Sequence, residues 1–305
     1  MFMKRGVLLT FGFLIICLVI SGCTTEGGET EGYYKYTGIK AIEASFFEGS
    51  PYTSQANRYE EDEEIDVEIE LENRLPDDIP SGKVKLRLTG EAAIPNLFSG
   101  AKTVTLNKEL DGIDVDTGRG GSEIVSLGPI RYVGDIATLT QKKISAQYCY
   151  EVPIKVKANL YLTDKSQEIG ANLLSGSNPP SRVEVTAFRQ EVVKVEGNKG
   201  TLDFVISVKN TGSGIVVDSL SECFEYRKRP DEYVGVDIEG PYTIDCEDNE
   251  VKLRKDTKEG RLDCEVKNID ASNLGPDPIE LTITLKNFAY EEEVLPVTVW
   301  LEPKD

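Results

Sequence analysis

The chain has 305 residues, 53 of them acidic and 34 basic, and a formal net charge of −19. Nucleic-acid binding depends on a clustered positive surface, so this balance argues against a nucleic-acid partner. Histidine is absent, which excludes Ser-His-Asp and Cys-His catalysis and removes the commonest zinc ligand.

The chain opens with a short apolar segment. It runs from Val7 to Ile20 and is preceded by Lys4 and Arg5. It is shorter than the roughly 20 residues that a membrane-spanning helix needs. A positive start, a short apolar middle and small residues before a break are typical of a secretory signal peptide.

The apolar segment ends in Ser21-Gly22-Cys23, which resembles the lipobox of prokaryotic lipoproteins. The resemblance implies a signal peptide at residues 1–22, lipid attachment at Cys23 and a location on the extracytoplasmic side of the cell membrane. Residues 23–32 hold nothing able to anchor a core and are predicted to form a flexible stalk. The alternative is an uncleaved short anchor, and either interpretation tethers the chain to a membrane.

From Tyr33 onward the chain is a series of short segments in which apolar and polar residues alternate. Ile65 to Leu71 alternates strictly, and Val84 to Leu88 and Lys155 to Ala158 do the same. Turn signals such as Pro80-Ser81-Gly82 lie between such segments. The pattern predicts an all-β fold of antiparallel sheets packed as sandwiches.

A stretch rich in Gly, Ser and Pro at residues 166–182 interrupts the strand pattern and predicts a linker. The predicted β-sandwich domain 1 then covers residues 33–165, and domain 2 covers residues 183–305. Each contains an apolar strand, a gap and an alternating strand that ends in an asparagine, Asn73 or Asn210. This order predicts two copies of one sandwich type.

The second copy contains the pattern Phe204-x-Ile206-x-Val208-x-Asn210-x-Gly212, followed by a turn of small residues. It resembles the adhesion-related (CARDB-type) immunoglobulin-like domains of archaeal and bacterial surface proteins. Asn and Gly tolerate a positive φ, which would let the chain turn between strands.

This resemblance implies tandem immunoglobulin-like β-sandwiches, although Arg74-Leu75 stands in the first copy where the family usually has a glycine. It also implies a non-catalytic binding, adhesion or structural module of the cell surface, with a surface protein or polysaccharide as partner. We therefore expect that the protein is not an enzyme and needs no cofactor.

Two other functions have different sequence requirements. A substrate-binding lipoprotein of a transporter would need strands alternating with helices around a cleft. An extracellular hydrolase would need a pair of carboxylates, which 53 acidic residues provide in almost any pair of loops.

Apart from Cys17 in the apolar segment and Cys23, four cysteines remain. They are Cys149, Cys223, Cys246 and Cys264. An even number permits three pairings and agrees with an oxidising compartment. A hairpin pairing of Cys246 with Cys264 is favoured, with Cys149 and Cys223 bonded to each other or free. The absence of a close Cys-x-x-Cys pair argues against a zinc site.

Three carboxylates lie close together in a glycine-containing loop, at Asp111, Asp114 and Asp116. They are a candidate site for structural calcium, although the loop lacks the later glutamate of an EF-hand. An ordinary acidic turn is the alternative.

Tyrosines recur near the start of the first copy and again at Tyr132, Tyr148 and Tyr150. Tyrosine is enriched at interfaces and also at the margins of sandwich cores, so packing and a binding face both remain open.

The lipid-attachment hypothesis predicts that Cys23→Ser abolishes lipidation, because only the thiol at that position can carry the lipid. The wild-type protein should enter the detergent phase with the mass of a chain lacking residues 1–22 plus lipid. The variant should lack that mass. A wild-type chain that keeps its first residues and carries no lipid would contradict the hypothesis.

Overall fold

The computed structural model describes residues 40–114, 116–171, 173–175, 178–225 and 231–304. The predicted signal peptide (1–22), Cys23 and the stalk (23–32) lie outside these ranges. In the part of the chain that is described, no helix is long and apolar enough to cross a membrane.

The protein is all-β, with 52% of its residues in strands and no helices beyond short 3-10 turns in the described ranges. The strands are β1 (Ile42–Phe46), β2 (Tyr59–Glu60), β3 (Glu64–Ile65), β4 (Glu68–Asn73), β5 (Val84–Thr89), β6 (Phe98–Ser99), β7 (Thr103–Thr105), β8 (Ser122–Ser126), β9 (Ile130–Tyr132), β10 (Thr140–Tyr150), β11 (Ile154–Tyr161), β12 (Val183–Gln190), β13 (Lys194–Glu196), β14 (Lys199–Asn210), β15 (Ile215–Val217), β16 (Glu232–Glu239), β17 (Ile244–Cys246), β18 (Glu250–Leu253), β19 (Glu259–Asp270), β20 (Pro278–Lys286) and β21 (Ala289–Glu302). The 3-10 turns are Gly90–Ala93, Ser166–Glu168, Leu220–Glu222 and Ala271–Asn273.

The described strands form five sheets, which we call A to E. Sheet A has the order β1-β4-β8, and sheet B has the order β15-β21-β10-β5-β7 with β2 also on β21. Sheet C has the order β3-β9-β6, and sheet D has the order β11-β20-β16-β18. Sheet E has the order β12-β14-β19-β17 with β13 on β14. All described pairings are antiparallel except β2 with β21.

The predicted alternation is confirmed in the core. Ile65, Val67, Ile69 and Leu71 are all fully buried, while the acidic residues between them face outward. Buried apolar side chains from both halves of the chain form one continuous cluster.

The strand order repeats between the N-terminal half (residues 40–161) and the C-terminal half (residues 183–302). The run β1-β4-β8 in sheet A matches β12-β14-β19 in sheet E. The run β10-β5-β7 in sheet B matches β20-β16-β18 in sheet D. The internal repeat predicted from the sequence is therefore present in the topology.

The repeat extends to individual hydrogen bonds around the asparagine that ends the second long strand of each half. Asn73 is fully buried; its Oδ1 accepts from the Leu75 N–H at 2.9 Å, and its Nδ2 donates to the Asp77 carbonyl at 3.0 Å. Nδ2 also lies 3.0 Å from the carbonyls of Leu110 and Asp111. One side chain thus bonds backbone groups of the turn after β4 and of the segment at residues 110–111.

Asn210 makes the same two local bonds in the C-terminal half. Its Oδ1 accepts from the N–H two residues later, Gly212, at 3.0 Å, and its Nδ2 donates to the carbonyl four residues later, Gly214, at 3.1 Å. Asn210 pairs with Val183, the first residue of β12, just as the first asparagine pairs with Ile42, the first residue of β1.

The two halves differ from independent domains in where their last strands lie. β11 follows β10 in the N-terminal half, yet it pairs with β20 of the C-terminal half. β21 follows β20 in the C-terminal half, yet it pairs with β10 of the N-terminal half. Each half therefore completes a sheet of the other, and we call this arrangement the strand exchange.

The crossing strand β10–β11 is almost continuous, with only residues 151–153 between its two parts. Every even-numbered residue from Ile144 to Leu162 is buried, so one face of the chain stays on the core throughout. At about 3.3 Å per residue this stretch spans roughly 60 Å, enough to serve two sheets in turn.

The predicted division into domains at 166–182 is not confirmed. The described residues from Lys40 onward lie in one compact unit, and sheets B and D each contain strands from both sides of the predicted linker. The reason is the strand exchange: the pattern of alternation shows that a segment is a strand but not which strand is its neighbour.

The strand exchange predicts that neither predicted domain folds alone. A chain of residues 33–165 would leave β10 without β21, and a chain of residues 183–305 would leave β20 without β11. We expect neither to unfold cooperatively in a thermal melt followed by circular dichroism, whereas the chain from Tyr33 to Asp305 does. Either fragment melting at the temperature of the full chain would contradict the exchange.

The asparagine bonds predict unequal costs of truncation. Asn73→Ala removes four side-chain hydrogen bonds, and Asn210→Ala removes two. We expect losses of about 3 kcal/mol and about 1.5 kcal/mol in the free energy of unfolding, measured by denaturant titration. Asn107→Ala, at an exposed position, is the control and should change it by less than about 0.5 kcal/mol. Equal denaturation midpoints for Asn73→Ala and Asn107→Ala would refute the stabilising role of the Asn73 hydrogen bonds.

Candidate binding surface

Cys246 and Cys264, the favoured pair, form a disulfide bond with 4.0 Å between their Cα atoms. They face each other directly across β17 and β19 in sheet E. The intervening chain is not the simple hairpin that the sequence predicted, because β18 lies between these strands in the chain and pairs with β16 in sheet D.

The structure also bonds Cys149 to Cys223, the second candidate pairing. Cys149 is in β10, and Cys223 follows the 3-10 turn after β15, so this bond links the two halves covalently. The segment around it covers one face of sheet B: Glu291 Oε2 accepts from the Phe224 N–H at 2.8 Å, and Arg87 donates to the Phe224 carbonyl at 3.0 Å. Phe224 has a positive φ of 68°, which these contacts hold in place.

The opposite face of the same strands carries a buried charge, Glu292. Its carboxylate lies 2.7 Å from the Tyr148 hydroxyl, 3.3 Å from Arg182 Nη2 and 3.5 Å from Lys40 Nζ. Burial raises the pKa of Tyr148, so this hydroxyl stays protonated and donates to the carboxylate. The group joins both halves around a buried carboxylate, which makes it a structural clamp.

The tyrosines that the sequence left open belong to packing. Tyr132, Tyr148 and Tyr150 are all buried, and Tyr148 and Tyr150 stack with ring centroids 6.1 Å apart. The tyrosines near the start of the first copy, before Lys40, lie outside the described residues.

The acidic loop is organised by its own backbone. Asp114 Oδ1 accepts from the N–H groups of Asp116 and Thr117, each at 2.9 Å, and the bond from Thr117 is the main reason that the pKa of Asp114 is lowered. The carbonyl of Asp111 accepts from Asn73. Among the described residues no group of three or more acidic, cysteine or histidine side chains is arranged to hold a metal ion. The structure does not bring the three carboxylates into a calcium site, and the calcium hypothesis stays a prediction.

An open groove of about 700 Å³ lies on the outer face of sheet E. Asp203, Glu265 and Asp245 stand directly opposite one another on β14, β19 and β17 at its centre. Val205 and Asp263 form the next row along the same face.

Like charges directly opposite each other on a sheet repel, and lysines on the margins of the groove offset this. Lys194 Nζ lies 2.6 Å from Asp203, and Lys267 Nζ lies 2.6 Å from Asp245 and 3.3 Å from Glu265. The pKa values of both lysines are raised, chiefly by these hydrogen bonds to carboxylates. The face thus carries a row of carboxylates flanked by lysines, with the disulfide of Cys264 beneath it.

The sequence predicted none of this groove. Its carboxylates come from three strands that are distant in the chain, and each alone looks like the solvent face of an ordinary strand. The nearest signal was the outward acid in each of the alternating segments, which recurs in every strand of sheet E.

No protein-family model matches the chain, and no curated protein is significantly similar to it. Among solved structures, the partial N-terminal region of an enterococcal surface protein is similar to it at 9% identity, covering 92% of this chain and 98% of that one, with a TM-score of 0.16. So low a TM-score carries no argument about fold or function. The protein therefore belongs to the class of all-β proteins with several antiparallel sheets, and it has two disulfide bonds among the described residues.

Proposed function

We propose that this protein is a lipid-anchored module on the extracytoplasmic side of the cell membrane, built from two immunoglobulin-like repeats. It acts without catalysis, by binding a surface protein or polysaccharide or by structural contact. The lipobox-like Ser21-Gly22-Cys23 supports the location, and the two disulfides agree with an oxidising compartment.

The observation that carries the binding role is the groove on the outer face of sheet E. It is open along its length and lined by charged side chains on paired strands, so it presents a preformed surface rather than an enclosed cavity. A rigid surface loses little conformational entropy when a partner binds, which favours recognition by shape and charge.

The alternatives gain less support. A transporter's substrate-binding lipoprotein needs helices around a cleft, and the described residues form an all-β fold. A hydrolase would need an acid and a base free to act on a substrate, whereas Asp203 and Asp245 at the centre of the groove are each held by a lysine.

The proposal predicts that a partner contacts the sheet face at Val205. A photo-crosslinking amino acid at Val205, in the full chain on intact cells, should give a discrete cross-linked product with an envelope component. The control carries the same photo-crosslinking amino acid in place of Thr282, which is similarly half-buried on the outer face of sheet D. Identical products from the two positions, or none from Val205, would refute a contact at this face.

A further inference from the structure

A second groove, of about 460 Å³, lies between β16 and β17. The two strands follow each other in the chain but belong to different sheets, D and E. β16 pairs with β18 only as far as Gly235, and beyond it Asp237–Glu239 pair with β20 alone. β17 pairs with β19 alone. We call this groove the edge groove. Within the described ranges each of its two walls is therefore the open edge of a sheet.

The free backbone groups of both walls point into the edge groove. Glu247 N–H donates to the Asp263 carbonyl at 3.1 Å, so the next pair, Cys246 with Cys264, is of the type without hydrogen bonds. The N–H and C=O of Cys246 and, two residues back, of Ile244 then point away from β19. An edge with unused donors and acceptors is a template for a further strand.

The opposite wall is oriented in the same way. Val236 N–H donates to the Asn249 carbonyl at 2.8 Å, on the side away from β20. Because direction alternates along a strand, the N–H and C=O of Ile238 point to that side too. The half-buried side chains of Ile238 and Ile244 supply apolar surface between the two edges.

The rim of the edge groove is negatively charged. From Glu232 to Val251 the sequence contains no lysine or arginine. Asp237 is paired with Lys286, but Glu247 and Asp248 make no ion pair with any described residue. A ligand that complements this rim carries positive charge.

We propose that the edge groove binds an extended peptide segment with basic side chains, which adds to the open edge of β17 as a further strand of sheet E. Backbone hydrogen bonds to Ile244 and Cys246 hold the segment, and its basic side chains face Glu247 and Asp248. This inference rests on the proposed function and names the class of partner, a basic segment of a surface protein.

The test uses the full chain in non-ionic detergent and labelled synthetic octapeptides, followed by fluorescence anisotropy. A peptide of alternating Lys and Val should bind saturably, and one of alternating Glu and Val should not. A Lys-Val peptide with every backbone nitrogen methylated has the same charge but lacks every N–H, and it should bind at least about ten-fold more weakly.

Variants locate the site. Asp248→Lys should weaken binding of the Lys-Val peptide at least about ten-fold, while Asp135→Lys, the same change at an exposed aspartate of the other half, should leave it unchanged. Ile244→Pro removes an N–H that points into the groove and should also weaken binding. Independently of these variants, the Lys-Val peptide should slow hydrogen exchange of the Ile244 and Cys246 amides in the wild-type protein.

Three results would overturn the inference. They are equal binding of the methylated and unmethylated Lys-Val peptides, equal effects of Asp248→Lys and Asp135→Lys, and unchanged exchange at β17 with saturating peptide. Any of these together with specific cross-links from Val205 would leave the proposed function standing without strand addition. Peptide binding at β17 without cross-links from Val205 would instead refute the contact on the sheet face.

Discussion

The strand exchange is the constraint on which the rest of this structure depends. β10 needs β21 and β20 needs β11, so neither half has a complete set of sheets without the other. The remaining links act where the exchanged strands cross: the Cys149–Cys223 bond on one face of β10 and the clamp around Glu292 on the other. Motion between the halves would have to break ladder hydrogen bonds. The groove of sheet E therefore keeps a fixed position relative to the N-terminal half.

Local features of this fold could be predicted from the sequence, because their causes are local. Strict alternation from Ile65 to Leu71 identifies a half-buried strand wherever it pairs, and an asparagine at the end of such a strand identifies a turn. The structure explains the recurrence of Asn73 and Asn210 by identical hydrogen bonds to residues two and four positions later.

The reason for the glycines in the second copy was not visible in the sequence. A positive φ was the expected reason, but Gly212 and Gly214 do not adopt one. A Cβ on Gly212 would lie 2.0 Å from the hydroxyl of Tyr290, a residue of the exchanged strand β21. In the first copy Leu75 stands at the matching position and makes the same backbone bond to its asparagine. The glycine at position 212 is thus required by a contact with a distant segment. The groove and the division of the chain between the sheets likewise depend on pairing between remote segments.

The crossing strands also set the order in which the chain can reach its native state as it leaves a ribosome. Residues 289–302 emerge well after β10, and until they do β10 has no partner on its β21 side. The N-terminal half must wait, with its longest hydrophobic face partly open, for the whole C-terminal half to follow. Most contacts within the described chain join segments far apart in sequence, which slows folding and lengthens the time for which β10 is exposed. The two repeats therefore fold together rather than one after the other, and a helper that shields β10 in the interval would have an extended edge to hold.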